Sequence, residues 1–285
     1  MNWTLTPDQF ALAWSRTDGD RIPYPLAVRL SARDTAERAA QLPALDEWCD
    51  QVLDAELAAA LRALADPAVR VEIFGERQAG DPAVQSRQVR QEALPGTVGP
   101  PVPVAEPDDF DDESARPVRI LGAVSGNIAV VAAQRPGATP DRGGDLRLFV
   151  TTPKSLASRM VSMLPKNSPG TLSRLTAPLS KVTEDSRDMV TMQVAGPATP
   201  ARIRKLLNHP RDGIGQIVVS IRRPDGDLRP FGVLCWIDVR ADGRYTVRTG
   251  TDVDITPVDA EGFRDALRPM LTAAEKKTTA YAQAW

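Results

Sequence analysis

The sequence predicts an α+β fold in which a twisted, mostly antiparallel sheet with flanking helical bundles arises from one unit used twice. Three observations carry this reading. Runs of period-two alternation rich in β-branched and aromatic residues recur along the chain, as from Phe231 to Val239. Glycine-containing turns at Ser125-Gly126-Asn127 and Ala241-Asp242-Gly243-Arg244 join such runs directly, which suits antiparallel hairpins and is too short for a parallel crossover. Strand, Thr-Pro and apolar-periodic helix follow one another at Thr6, Thr152, Thr199 and Thr256. The expectation is a single domain over 1–285 made of two repeated halves, 1–165 and 166–285.

In chain order, Trp3–Leu5 reads as a short strand. Thr6-Pro7-Asp8-Gln9 is a capping-box start for a helix carrying Phe10, Leu12, Ala13 and Trp14. Pro23 and Pro25 hold Ile22–Leu30 extended. A short helix is expected over 34–41, then a second one capped by Asp46. The buried stripe of that second helix is Val52, Leu53, Leu57, Ala60, Leu61 and Leu64, and Asp66-Pro67 stops it. Val69, Val71 and Ile73 alternate into a strand.

Residues 78–116 differ in kind. They hold six prolines, few large apolar groups and the acidic run Glu106–Glu113. Too little apolar surface is present to offset ordering entropy, so a long flexible loop is expected. Val118–Val124 and Ile128–Ala133 form a hairpin, and Leu146–Val150 a third strand. A helix from Thr152-Pro153 then carries Leu156, Met160 and Met163. Leu172, Leu175, Leu179 and Val182 show near-helical spacing. Met189–Val194 reads as a strand, Thr199–Leu207 as a helix and Ile214–Ile221 as a strand. The unit 231–271 closes the chain with hairpin, short strand, Thr256-Pro257 and a helix whose first turn has Asp259 as a capping acid.

A formal charge of −2 offers no basic excess for nucleic acid. No apolar run is long enough to span a membrane, and the first residues do not read as a signal peptide. Cys49 and Cys235 sit singly in apolar patterns, as buried free thiols of a reducing compartment do, which points to the cytoplasm. No nucleophile elbow, phosphate loop, dinucleotide fingerprint or paired-cysteine motif occurs. His209 stands alone at a helix stop, Asp225-Gly226-Asp227 reads as a turn, and the acidic run lacks calcium-loop spacing. Neither metal nor cofactor is expected. Scattered acids leave an α+β enzyme open as an alternative, and exposed sheet edges leave a self-associating structural protein open.

Four stretches, W-T-L-T-P-D-Q-F-A-L-A-W, A-L-A-D-P-A-V-R-V-E-I-F-G-E, P-V-R-I-L-G-A-V-S-G-N-I-A-V-V-A-A-Q and A-D-G-R-Y-T-V-R, together with the order of elements, resemble the EspG family of actinobacterial proteins associated with ESX (type VII) secretion. The resemblance covers almost the whole chain. It implies a pseudo-symmetric fold and a cytosolic chaperone without enzymatic activity. Such a chaperone shields the hydrophobic tip of the PPE subunit in a PE–PPE heterodimer, or in a related secreted helical pair, until export. A homodimer of the free chain is compatible with it. By position, the family's contact loop falls on 78–116, so Val98, Val102, Val104 and Phe110 are the expected loop contacts. Leu156, Met160, Met163, Leu172 and Leu175 are the expected contacts on the helices.

Overall fold

The computed structural model describes residues 1–17, 19, 21–78, 116–184 and 198–283. Its strands are β1 (Asn2–Leu5), β2 (Val69–Arg77), β3 (Arg116–Ser125), β4 (Ile128–Pro136), β5 (Gly143–Thr151), β6 (Leu175–Pro178), β7 (Arg211–Arg222), β8 (Leu228–Val239), β9 (Gly243–Thr249) and β10 (Asp252–Pro257). The described helices are α1 (Pro7–Arg16), α2 (Thr35–Val52), α3 (Ala55–Ala65), α4 (Pro153–Val161), α5 (Leu179–Thr183), α6 (Thr199–Leu207) and α7 (Ala260–Gln283). The strands form one ten-stranded sheet in the order β1-β5-β4-β3-β2-β7-β8-β9-β10-β6, every adjacent pair antiparallel. Outward from the central β2–β7 pair, the order runs through three consecutive strands to a short edge strand on both sides.

Local chemistry explains most elements. Thr6 accepts from the Gln9 amide while the Gln9 side chain accepts from the Thr6 amide, a complete capping box for α1. Asp34 and Asp54 cap α2 and α3 by accepting from the amides of Glu37 and Leu57. This corrects the expected division of 34–65. Pro43 is absorbed inside α2, Asp46 lies within that helix, and the break falls at Leu53-Asp54. At α7, Thr256 and Pro257 still belong to β10, and Asp259 is the residue that accepts from an amide in the first turn, that of Gly262. The near-helical spacing of 172–182 also misled. Leu175–Pro178 is the edge strand β6, paired with β10, and only Leu179–Thr183 is helical. Alternate burial of Leu175 and Ala177 against α6 explains why a strand wins there. The strand expected at Met189–Val194 lies outside the described residues.

One face of the sheet is covered by α4 and α7, which bury Val69, Val71 and Ile73 of β2, Ile217, Val219 and Ile221 of β7, and Leu234 and Trp236 of β8. Trp236 lies flat across two neighbouring strands. A Cβ on Gly215 would sit 2.1 Å from its ring and one on Gly75 2.8 Å. Gly215→Val is therefore expected to destabilise the fold by about 1–3 kcal/mol through overpacking, read as a lowered unfolding midpoint in urea. On the same face the Arg244 guanidinium meets the Asp238 carboxylate across β9–β8 at 2.7 and 2.8 Å, beneath Phe263 of α7.

Two separate bundles occupy the opposite face. Helices α1 and α3 pack on β3, β4, β5 and β1, with Phe10, Leu57, Leu61, Leu121 and Leu148 in that core. At the far end α6 packs on β6, β9, β10 and the end of β8, through Ile203, Leu206, Ile237 and Tyr245. The connector between the halves is strapped to this second unit. Ser168 accepts from the Arg244 amide, and Asp242 accepts from Thr171 and from the Tyr245 hydroxyl. In the β8–β9 turn Ala241 takes the left-handed helical conformation, at φ 59°, and Gly243 also has a positive φ, at 157°. Gly243 is needed because a Cβ there would meet the Pro169 carbonyl at 2.6 Å.

Candidate functional site

Neither bundle core takes a residue from β2 or β7. Among the described residues, the second face of these two strands and the adjoining part of β8 therefore forms the floor of a saddle walled by the bundles. Cross-strand register defines its rows. Arg70 stands beside Ser220. Glu72, Val218 and Val233 form the next row, Phe74, Gln216 and Cys235 the third, and Glu76 and Ile214 the fourth, which ends at Ile237 beneath α6. Val233 is 50% exposed and Ile214 44%. Phe231, at the β8 bulge beside Val233, is 40% exposed, and Tyr24 packs against Phe74 with ring centroids 5.5 Å apart and the planes tilted by 47°. With strands about 4.8 Å apart, three strands that neither bundle covers among the described residues give a floor of about 10–15 Å, the diameter of one helix.

The floor is chemically two-sided. The β7 and β8 side is apolar and the β2 side is charged. Burial pushes the Glu72 carboxyl above its usual range, with Arg70 opposing, and pushes the Arg70 guanidinium below its own. Burial also raises the Cys235 thiol, which is half-buried where full burial was expected, while Cys49 is fully buried. Among the described residues no cluster of His, Cys, Asp or Glu could hold a metal ion. Asp225 and Asp227 pair with Arg229 in the β7–β8 turn, and His209 lies exposed just past α6.

The sequence-predicted contacts fall in several places. Val98, Val102, Val104 and Phe110 lie outside the described residues. Leu156 and Met160 are fully buried, with the Met160 thioether seated over Gly122, so in this arrangement they present no side-chain surface to a partner. The reason is that α4 turns its apolar stripe onto the sheet. Met163 packs against that same core. Leu172 lines the α6 core and Leu175 is buried within it. The saddle residues Val218, Val233, Glu72 and Phe74 were missed. A signal existed: β7 and β8 are apolar on both faces over 217–219 and 233–236, which requires a cover on each side.

The sequence profile of the EspG family matches residues 6–269. The chain belongs to the EspG family. No curated protein matches its sequence. Among solved structures it is similar to the Mycobacterium tuberculosis type VII secretion system chaperone EspG5, solved in complex with a PE25–PPE41 dimer. The TM-score is 0.57 at 15% identity, over 95% of this chain and 96% of that one. At that identity the likeness establishes an EspG-type fold. Among the described residues no helix is long and apolar enough to cross a membrane.

Proposed function

We propose that this EspG family member is a cytoplasmic type VII secretion chaperone that binds a PE–PPE heterodimer and shields the hydrophobic tip of its PPE subunit until export. The observation that carries the reading is the saddle, a floor about one helix wide, apolar on its β7–β8 side, that neither bundle covers among the described residues. The EspG5 structure, in which the same fold holds a PE25–PPE41 dimer, supports that class of occupant. The two halves, divided near Pro165, each supply one wall. Docking buries Ile214, Val218 and Val233 as apolar anchors inside a polar rim, an arrangement suited to binding rather than catalysis.

The test is co-expression with PE–PPE pairs of the source organism, followed by size-exclusion chromatography and thiol labelling. A soluble complex of all three chains is expected. Within it, a Val233→Cys variant labelled readily when free is protected from maleimide, while Thr272→Cys on the outer surface of α7 stays reactive. Equal labelling of Val233→Cys in free and bound protein removes the saddle from the interface. Concentration-dependent association of the chain alone, with no complex formed, points instead to self-assembly.

A further inference from the structure

Glu72 poses a problem that an apolar tip alone cannot solve. Its carboxylate lies half-buried on the saddle floor, in one row with Val218 and Val233. Among the described residues it makes no hydrogen bond and no ion pair. The facing charged and titratable groups are Arg70, two residues along β2, Tyr24 over the neighbouring row, and Arg119 of β3, which pairs across from Phe74 beside Tyr24 and turns its Nη2 to the Pro140 carbonyl. Arg70 favours the charged carboxylate through its own charge but makes no ion pair with it. Its Nη2 turns to the Ala65 carbonyl at 3.4 Å, and its Nε is buried without a partner among the described residues. Covering such a carboxylate with hydrocarbon would strand a charge in low dielectric.

We infer that the partner's tip is amphipathic and presents a cationic side chain to Glu72, so that the β2 side of the saddle sets the orientation of docking while the β7–β8 side supplies apolar contact. This rests on the saddle being the docking site. An apolar ridge lies over Val218 and Val233, and a lysine or arginine one strand spacing away meets Glu72. A tip docked the other way round would place its cation on Val233 and its hydrocarbon on Glu72, which penalises the reversed pose twice.

The experiment is calorimetric titration of the complex-forming PE–PPE heterodimer into wild type, Glu72→Gln, Glu72→Leu and Val233→Glu, at neutral and at mildly acidic pH, because burial raises the Glu72 carboxyl toward the acidic side of neutral. Glu72→Gln is expected to weaken binding by about tenfold or more, and Glu72→Leu at least as much. Wild-type affinity falls toward the lower pH more steeply than that of Glu72→Gln, because protonation of Glu72 removes the pair. Tighter binding by Glu72→Leu, or wild-type affinity that rises with acidification, overturns the inference: the carboxyl is then buried as a neutral acid under an apolar tip. Unchanged affinity in both Glu72 variants overturns it too. Val233→Glu separates the two levels. If it leaves binding intact, the saddle reading itself fails; if it abolishes binding while the Glu72 variants do not weaken it, only the cationic contact fails.

Discussion

Replacing Asp238 by alanine is expected to lower stability by about 3–5 kcal/mol, because it leaves the Arg244 guanidinium buried without its counter-charge. Both side chains are about 5% exposed, 5% for Arg244 and 6% for Asp238, and their two bonds of 2.7 and 2.8 Å make a bidentate pair. Arg244 is a junction as well as an ion. Its amide donates to the Ser168 carbonyl, and its own carbonyl accepts from the amides of Gly170 and Val258. The residue thus joins the inter-half connector, the β8–β9 hairpin and the entry to α7. At roughly 2–4 °C per kcal/mol for a chain of this size, the melting temperature should fall by about 6–20 °C. Differential scanning calorimetry reads this. The double variant Asp238→Leu with Arg244→Met should recover much of the loss, since an apolar pair of similar volume avoids desolvating two charges. If the single variant melts within about 2 °C of wild type, the pair is not an energetic junction.

Val233→Glu carries the largest expected effect on binding, with little on stability. Val233 is half exposed on the saddle floor, so in the free protein a glutamate there keeps its charge in water and the melting temperature stays within about 2 °C of wild type. In the proposed complex the same carboxylate would lie within an apolar contact beside Val218. Burying it unpaired under the partner's apolar ridge is expected to weaken binding by at least about a hundredfold, enough to abolish co-purification. Retained co-purification with an unchanged melting temperature would place the partner elsewhere on the molecule. The variant therefore tests surface chemistry without disturbing the fold that presents it.

How much of this was legible differs from element to element. The capping box at Thr6 and Gln9 works because every participating atom lies within four residues, so local sequence contains the whole interaction. The hairpins at 118–133 and 231–249 were legible for the same reason. Leu175 shows the opposite case. Its spacing to Leu179 and Val182 suits a helix, yet it pairs with Ile255, 80 residues away in sequence, and that long-range partner outweighs the local pattern. Leu156 and Met160 were recognised as one face of a helix, but the spacing could not say whether that face met the sheet or a partner. Gly122 beneath the Met160 sulfur, which lets the helix settle onto β3, decided it.

From the sequence alone came the antiparallel α+β architecture, most element positions, the absence of familiar catalytic motifs and the family resemblance. All of these rest on periodicity, turn chemistry and short motifs, which are local properties of a chain. The saddle came only from the tertiary structure. Among the described residues the face is bounded by where helices stop, and α3 and α6 stop short of β2 and β7 because each packs on strands of its own half. Which alternate residues of β7 and β8 remain open to a partner depends on that distance across the sheet, a quantity no run of neighbouring residues contains.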